Sequence, residues 1–217
     1  MKKRVVIFIA AASVVLFSGV IMTHNISGTV VCFGDSITNG AKVGGHSWVY
    51  VLSEEHPKVN FINEGRNGRK TSDKEEILPV LKAYPHANFF LIFLGVNDLK
   101  NGNDSMVNSC VENMEWMIRK VRESDRGTKV VVLSPTRIDL RHMSALNVRK
   151  LYNRNTQSSL VSLEQSYRRL AGKDSVGFIS LLNAVSPGNF VDGLHPDEAG
   201  QQEISSAVWK GLNQLAR

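Results

Sequence analysis

The chain has 217 residues, 42% of them apolar and 21% charged, with 26 Lys and Arg against 20 Asp and Glu. That length and mix fit one globular domain that buries its own core, and they exclude a disordered chain. Two cysteines exclude a disulfide framework and cannot alone fill a four-ligand zinc site, while the net charge of +6 raises the question of where the surplus sits.

Residues 1–28 carry Lys2, Lys3 and Arg4 and no acid, so the body keeps 23 basic residues against 20 acidic ones. The basic triplet precedes Val5 to Met22, eighteen residues without a charge. A basic stretch before an apolar one predicts an export signal, and eighteen residues are also at the lower limit of a membrane span. The expectation is an exported protein, periplasmic or extracellular, with the leader either cleaved or kept as an anchor and the membrane touched only through it.

Thr29–Phe33 is a β-branched and aromatic run that predicts a buried strand. A Gly-rich loop follows, then a helix marked by Trp48 to Leu52, and a second strand over Lys58–Asn63. Ser72–Tyr84 predicts a helix bent at Pro79, and Asn88–Leu94 the central strand. Met106, Cys110, Met114, Met117 and Val121 recur at helical spacing, which predicts a helix over Asp104–Glu123 with both inner methionines in the core. Thr128–Leu133 reads as the fourth strand, Ser144–Leu170 as mostly helical, Val176–Ile179 as the fifth strand and Asp197–Leu215 as the last helix. Residues 137–173 hold eight basic residues and two acids, and residues 174–217 hold two and five, so the body's surplus lies in one segment. No aromatic-rich basic stripe accompanies it, and nucleic-acid binding is not expected.

Strands alternating with helices predict a parallel sheet covered on both faces, a doubly wound α/β/α sandwich spanning residues 29–217. Ligands then sit beyond the carboxyl ends of the strands. Gly34-Asp35-Ser36 follows the first strand and offers a hydroxyl nucleophile near a helix start. The loop Asn63-Glu64-Gly65-Arg66-Asn67-Gly68 follows the second, and Gly68 can bring a backbone N–H close to a ligand. Gly95-Val96-Asn97-Asp98 follows the third, with the Asn97 amide as a donor. Asp192-Gly193-Leu194-His195-Pro196 precedes the last helix, with His195 suited to general base work and Asp192 placed to orient it. Each loop alone has an ordinary reading as a cap or turn. Together they supply nucleophile, donors, base and orienter at the strand ends of one fold.

These blocks resemble the SGNH (GDSL-type) hydrolases, and CFGDSITNG, NEGRNGRKT and VVVLSP look most like their arylesterase and acyltransferase branch. The resemblance implies a flavodoxin-like three-layer sandwich with a five-stranded parallel sheet. It implies a catalytic Ser36, Asp192 and His195, an oxyanion hole from Ser36, Gly68 and Asn97, and a small-molecule ester substrate of acetyl type, with no metal or cofactor. The chain lacks G-x-S-x-G, unlike an ordinary α/β-hydrolase. Asp35, Arg66, Asp98 and Arg137 are candidate substrate contacts, Asp98 with a structural cap as the plainer alternative. Arg69, Lys70, Arg141 and His142 are further basic residues expected near the mouth, where a polar or anionic alcohol portion such as a sugar would lie. Rival expectations are a lysophospholipase or thioesterase for longer acyl chains, and a non-catalytic carbohydrate-binding protein on the same fold.

Overall fold

Five apolar runs pair side by side, all parallel, in the order β2-β1-β3-β4-β5. The computed structural model describes residues 26–216; the leader falls outside it except for its last residues. The strands are β1 Gly28–Gly34, β2 Val59–Gly65, β3 Phe89–Phe93, β4 Lys129–Leu133 and β5 Gly177–Ile179. β3 is buried along its whole length and Val30 to Phe33 of β1 are fully buried, as strands covered on both faces must be. This is the flavodoxin-like order, in which the chain switches direction across the sheet between β1 and β3.

Helices α2 (Trp48–Glu55) and α7 (Glu198–Leu215) pack together on one face. On the other lie α3 (Ile77–Ala83), α4 (Asp104–Ser124) and α6 (Arg154–Asp174), preceded by the short α5 (Ala145–Arg149). The methionine stripe is core as expected: Met114 and Met117 are fully buried. Cys32 and Cys110 are buried free thiols, and burial pushes both well above their ordinary pKa. Among the described residues no helix is long and apolar enough to cross a membrane.

Three segments depart from expectation. The helix expected over Ser72–Tyr84 is a 3-10 helix, Thr71–Glu76, followed by α3. Its break precedes Ile77, and Pro79 causes none because it sits in the first turn of α3, where no N–H is needed. The stretch Ser144–Leu170 divides into α5 and α6, since Leu151 turns left-handed at φ 67° and Asn153 restarts the helix by accepting from the N–H groups of Asn155 and Thr156. The four-residue helix α1 (Ser36–Asn39) is too short for any periodicity to reveal.

Two glycines on outer helices have opposite surroundings. A Cβ on Gly211 of α7 would stand 2.5 and 2.6 Å from Cδ1 and Cγ1 of Ile179, whereas one on Gly172 of α6 would meet nothing within 4 Å. Gly172→Ala is therefore expected to stabilise by roughly 0.5 kcal/mol through helix propensity. Gly211→Ala is expected to destabilise by about 1–3 kcal/mol despite the same propensity gain, because the core must move. Urea unfolding of both variants checks the contrast in sign.

Candidate active site

The parallel register brings the last residues of the strands into one row: Gly34 faces Gly65 on one side and Phe93 on the other, Phe93 faces Leu133, and Leu133 faces Ile179. The loops that leave this row therefore begin side by side. β1 lies between β2 and β3, so the loop bearing Ser36 is flanked by those bearing Gly68 and Asn97.

Ser36 opens α1. Its turn is tight: a Cβ on Gly34 would lie 2.1 Å from the Thr38 hydroxyl. Asp35 caps α1 by accepting from the Ile37 N–H at 2.9 Å. The Ser36 hydroxyl lies 3.0 Å from His195 Nε2, and His195 Nδ1 lies 3.0 Å from each oxygen of Asp192. Nδ1–H donating to the carboxylate leaves Nε2 as an acceptor for the serine proton. Asp192 also accepts from the backbone N–H groups of His195 and Leu194. Burial alone would raise its pKa, but these hydrogen bonds and the charge of His195 hold its carboxyl well below the usual carboxylate range.

The loop carrying Asp192 and His195 is pinned from outside. Asp139 N–H donates to Gly193 O at 2.8 Å, and Asp192 O accepts from Ser144 N–H and from the Asn147 amide, both at 3.1 Å. Gly193 has φ 77°, and a Cβ there would stand 2.6 Å from Asp139 O and from Met143 Cα.

Ser36, Gly68, Asn97 and His195 line one cleft of about 240 Å³. No acceptor among the described residues takes the backbone N–H of Ser36 or of Gly68. Asn97 is 6% exposed, and its Nδ2 reaches Asp35 Oδ2 at 3.3 Å and Arg69 O at 3.2 Å, both longer than the usual hydrogen bond. Its Oδ1 accepts from the Tyr152 hydroxyl at 2.8 Å. Tyr152 is the residue that sequence reasoning missed. It falls in the break between α5 and α6, inside a stretch that reads as continuous helix. It lines the cleft, and burial together with Asp35, Asp98 and Asp192 pushes its pKa well above the ordinary tyrosine value, so it stays a donor.

Three of the four candidate substrate contacts are turned elsewhere. Asp35 is 2% exposed and serves the turn; burial pushes its pKa up to about 6, against the Ile37 hydrogen bond and the charge of His195. The Asp98 carboxylate accepts from Thr71 N–H at 3.0 Å and from its hydroxyl at 2.6 Å, so it caps the 3-10 helix. Arg66 pairs with Asp73 and Glu76. Arg137 donates to Asn183 and borders a neighbouring hollow of about 880 Å³ that shares Tyr152 with the cleft. Arg69, expected at the mouth, is buried: it donates to Gly34 O at 2.6 Å and to Glu64 O, with its guanidinium 4.0 Å over Phe33. His142 pairs with Asp139. The basic side chains that do line the cleft are Lys42, Lys100 and Lys150.

The sequence profile of the GDSL-like lipase/acylhydrolase family matches residues 32–203. The chain belongs to this family. That membership makes it an ester hydrolase. No curated protein sequence matches it. Among solved structures this GDSL-like acylhydrolase is similar to a carbohydrate acetylesterase family member from Sinorhizobium meliloti, at 21% identity and TM-score 0.73 over 87% of this chain and 99% of that one. It is also similar to the aryl esterase of M. smegmatis, at 22% identity and TM-score 0.74 over 87% and 100%. A lipolytic G-D-S-L family member from Veillonella parvula matches at 19% identity and TM-score 0.64 over 85% and 97%. At these identities the likeness is one of fold.

Two predictions follow from this geometry. Tyr152→Phe removes the donor that sets the rotation of the Asn97 amide, so kcat should fall about tenfold with KM little changed, measured on a small acetyl ester. Asp192 has a depressed folded-state pKa, so its charge stabilises the fold fully above the unfolded carboxyl value, about pH 4, and less as pH falls toward the lower folded value. The stability difference between wild type and Asp192→Asn, from denaturant unfolding at several pH values, should shrink below about pH 4.

Proposed function

We propose that this protein is a serine esterase that cleaves small acyl esters of acetyl type through an acyl-enzyme on Ser36. The observation that carries the reading is the unbroken chain from Ser36 Oγ through His195 to Asp192, with 3.0 Å at each link, opening on the small cleft.

In the proposed reaction His195 Nε2 takes the Ser36 proton as Oγ attacks the ester carbonyl, and the carbonyl π electrons move onto oxygen. The free N–H groups of Ser36 and Gly68 receive this oxyanion. A charged acceptor also competes well for Asn97 Nδ2, which holds only long bonds in the resting site. The imidazolium, stabilised by Asp192, gives its proton to the departing alcohol oxygen as the C–O bond breaks. Water, deprotonated by His195, then attacks the acyl-enzyme, and Ser36 regains its proton; an acceptor alcohol in place of water makes the same step an acyl transfer.

A cleft of about 240 Å³ is below the size of sites that take drug-sized ligands, which supports a short acyl group. The titles of the similar structures name carbohydrate acetylesterase and aryl esterase, which supports acetylated sugars or aryl acetates as the class. The hollow beyond Tyr152, bordered by Met143, Val148 and Phe190, supports a second reading in which a longer acyl chain lies there. The basic and apolar leader supports export of the enzyme before it acts.

Turnover of p-nitrophenyl esters is the test. Wild type should cleave the acetate faster than the octanoate, and a fluorophosphonate should add its mass to Ser36. Ser36→Ala and His195→Ala should each lose at least about a thousandfold in kcat. Unchanged turnover in both variants overturns the mechanism, and a preference for octanoate moves the reading to the longer-chain class.

A further inference from the structure

The cleft beside Ser36 is lined by three cationic side chains and by no carboxylate. Lys42 comes from the turn after α1, Lys100 from the loop after β3, and Lys150 from the C-terminal end of α5. Three separate loops converge, so the cluster is not a by-product of one basic run.

Several other cations of this protein have acidic partners. Arg66 pairs with Asp73 and Glu76, Lys120 with Glu123, Arg168 with Glu164 and Lys173 with Glu115. No carboxylate among the described residues pairs with Lys42, Lys100 or Lys150. The nearby acids have other hydrogen-bond partners: Asp35 caps α1, Asp98 holds Thr71, and Asp192 takes His195. Lys100 is half-buried, and burial together with the cations of Lys70 and Lys150 disfavours its charge, against the pull of Asp98. Like charges facing one cleft without a counter-ion carry a cost that a bound anion relieves.

We propose that the alcohol portion of the natural ester carries an anionic group, a carboxylate or a phosphate, that Lys42, Lys100 and Lys150 seat beside Ser36. The proposal rests on the esterase reading above and narrows it. The acyl side is small, so the charge belongs to the leaving alcohol. Lys100 also lies 5.5 Å over the ring of Tyr152, which holds its head at the cleft wall.

The test compares three acetyl esters of similar size: 4-acetoxybenzoate, 4-acetoxyphenyl phosphate and neutral 4-acetoxybenzamide. Each is turned over by wild type and by Lys42→Gln, Lys100→Gln, Lys150→Gln and the triple variant, with thermal unfolding to confirm that all are folded. The ratio of kcat/KM for an anionic ester to that for the neutral one, compared between enzymes, cancels intrinsic ester reactivity. The ratio should fall about tenfold in the triple variant, and the wild-type preference should shrink as salt rises. The anionic ester with the larger fall identifies carboxylate or phosphate as the favoured group. An unchanged ratio, or an equal fall for all three esters, overturns this proposal while the esterase reading stands. No turnover of any ester, with Ser36 unlabelled by a fluorophosphonate, overturns the esterase reading and this proposal with it.

Discussion

The site depends on the register of β1 against both of its neighbours. A seven-residue strand pairs with β2 on one edge and β3 on the other, and its end, Gly34, aligns with Gly65 and Phe93. A slip of one residue would turn side chains to the wrong face and move Ser36 by about 3.3 Å relative to Gly68 and Asn97. Arg69 guards this alignment. Its guanidinium donates to the Gly34 and Glu64 carbonyls, near the ends of two adjacent strands, and lies over the Phe33 ring. A buried cation is costly on its own, and the bond to Glu76 at 2.9 Å offsets part of that cost.

The second requirement is reach. His195 follows β5, at the far edge of the sheet, with β4 and β3 between it and β1. The chain crosses that distance as a loop closed on itself, with Val191 N–H donating to His195 O at 2.9 Å and Phe190 bridging to Pro196. The segment from Asp139 to Asn147, which leaves β4, holds the loop from outside through three hydrogen bonds to Asp192 and Gly193. The expected long helix could not have served here. The chain must stay irregular after β4 to meet the Asp192 loop, and irregular again at Tyr152 to reach Asn97.

This explains what was legible in the sequence. α4 and α7 declare themselves because burial on one face imposes a period, and β3 because burial on both faces makes it an unbroken apolar run. The Asp192 and His195 pair is visible because its spacing is local, three residues within one turn. Sequence also places Ser36, Gly68 and Asn97 at strand ends, which a doubly wound fold gathers without further information. It does not say which way a loop side chain faces. Arg66, Asp98 and Arg69 were plausible contacts by position, and each is consumed by a structural partner: Asp73, Thr71 and two strand carbonyls. Tyr152 carried no signal, because the left-handed turn at Leu151 that directs it to Asn97 uses a residue that gives no hint of φ 67°.

Charge distribution ties these strands together. Negative charge lies near Ser36: Asp35 on the Ile37 N–H, Asp98 on Thr71, Asp192 on the imidazole. Positive charge lies in front of it, on Lys42, Lys100 and Lys150. These carboxylates favour the imidazolium that forms in the proposed first step. A proton moving from Ser36 to His195 thus runs toward opposite charge, which is the direction the proposed first step requires. The formal surplus of +6 is accordingly a poor guide taken whole. Half of it lies in residues 1–28, and of the three lysines that line the cleft only Lys150 belongs to the basic segment 137–173. Lys42 and Lys100 come from a stretch whose charges cancel in sequence, and the fold brings both to the cleft beside Ser36.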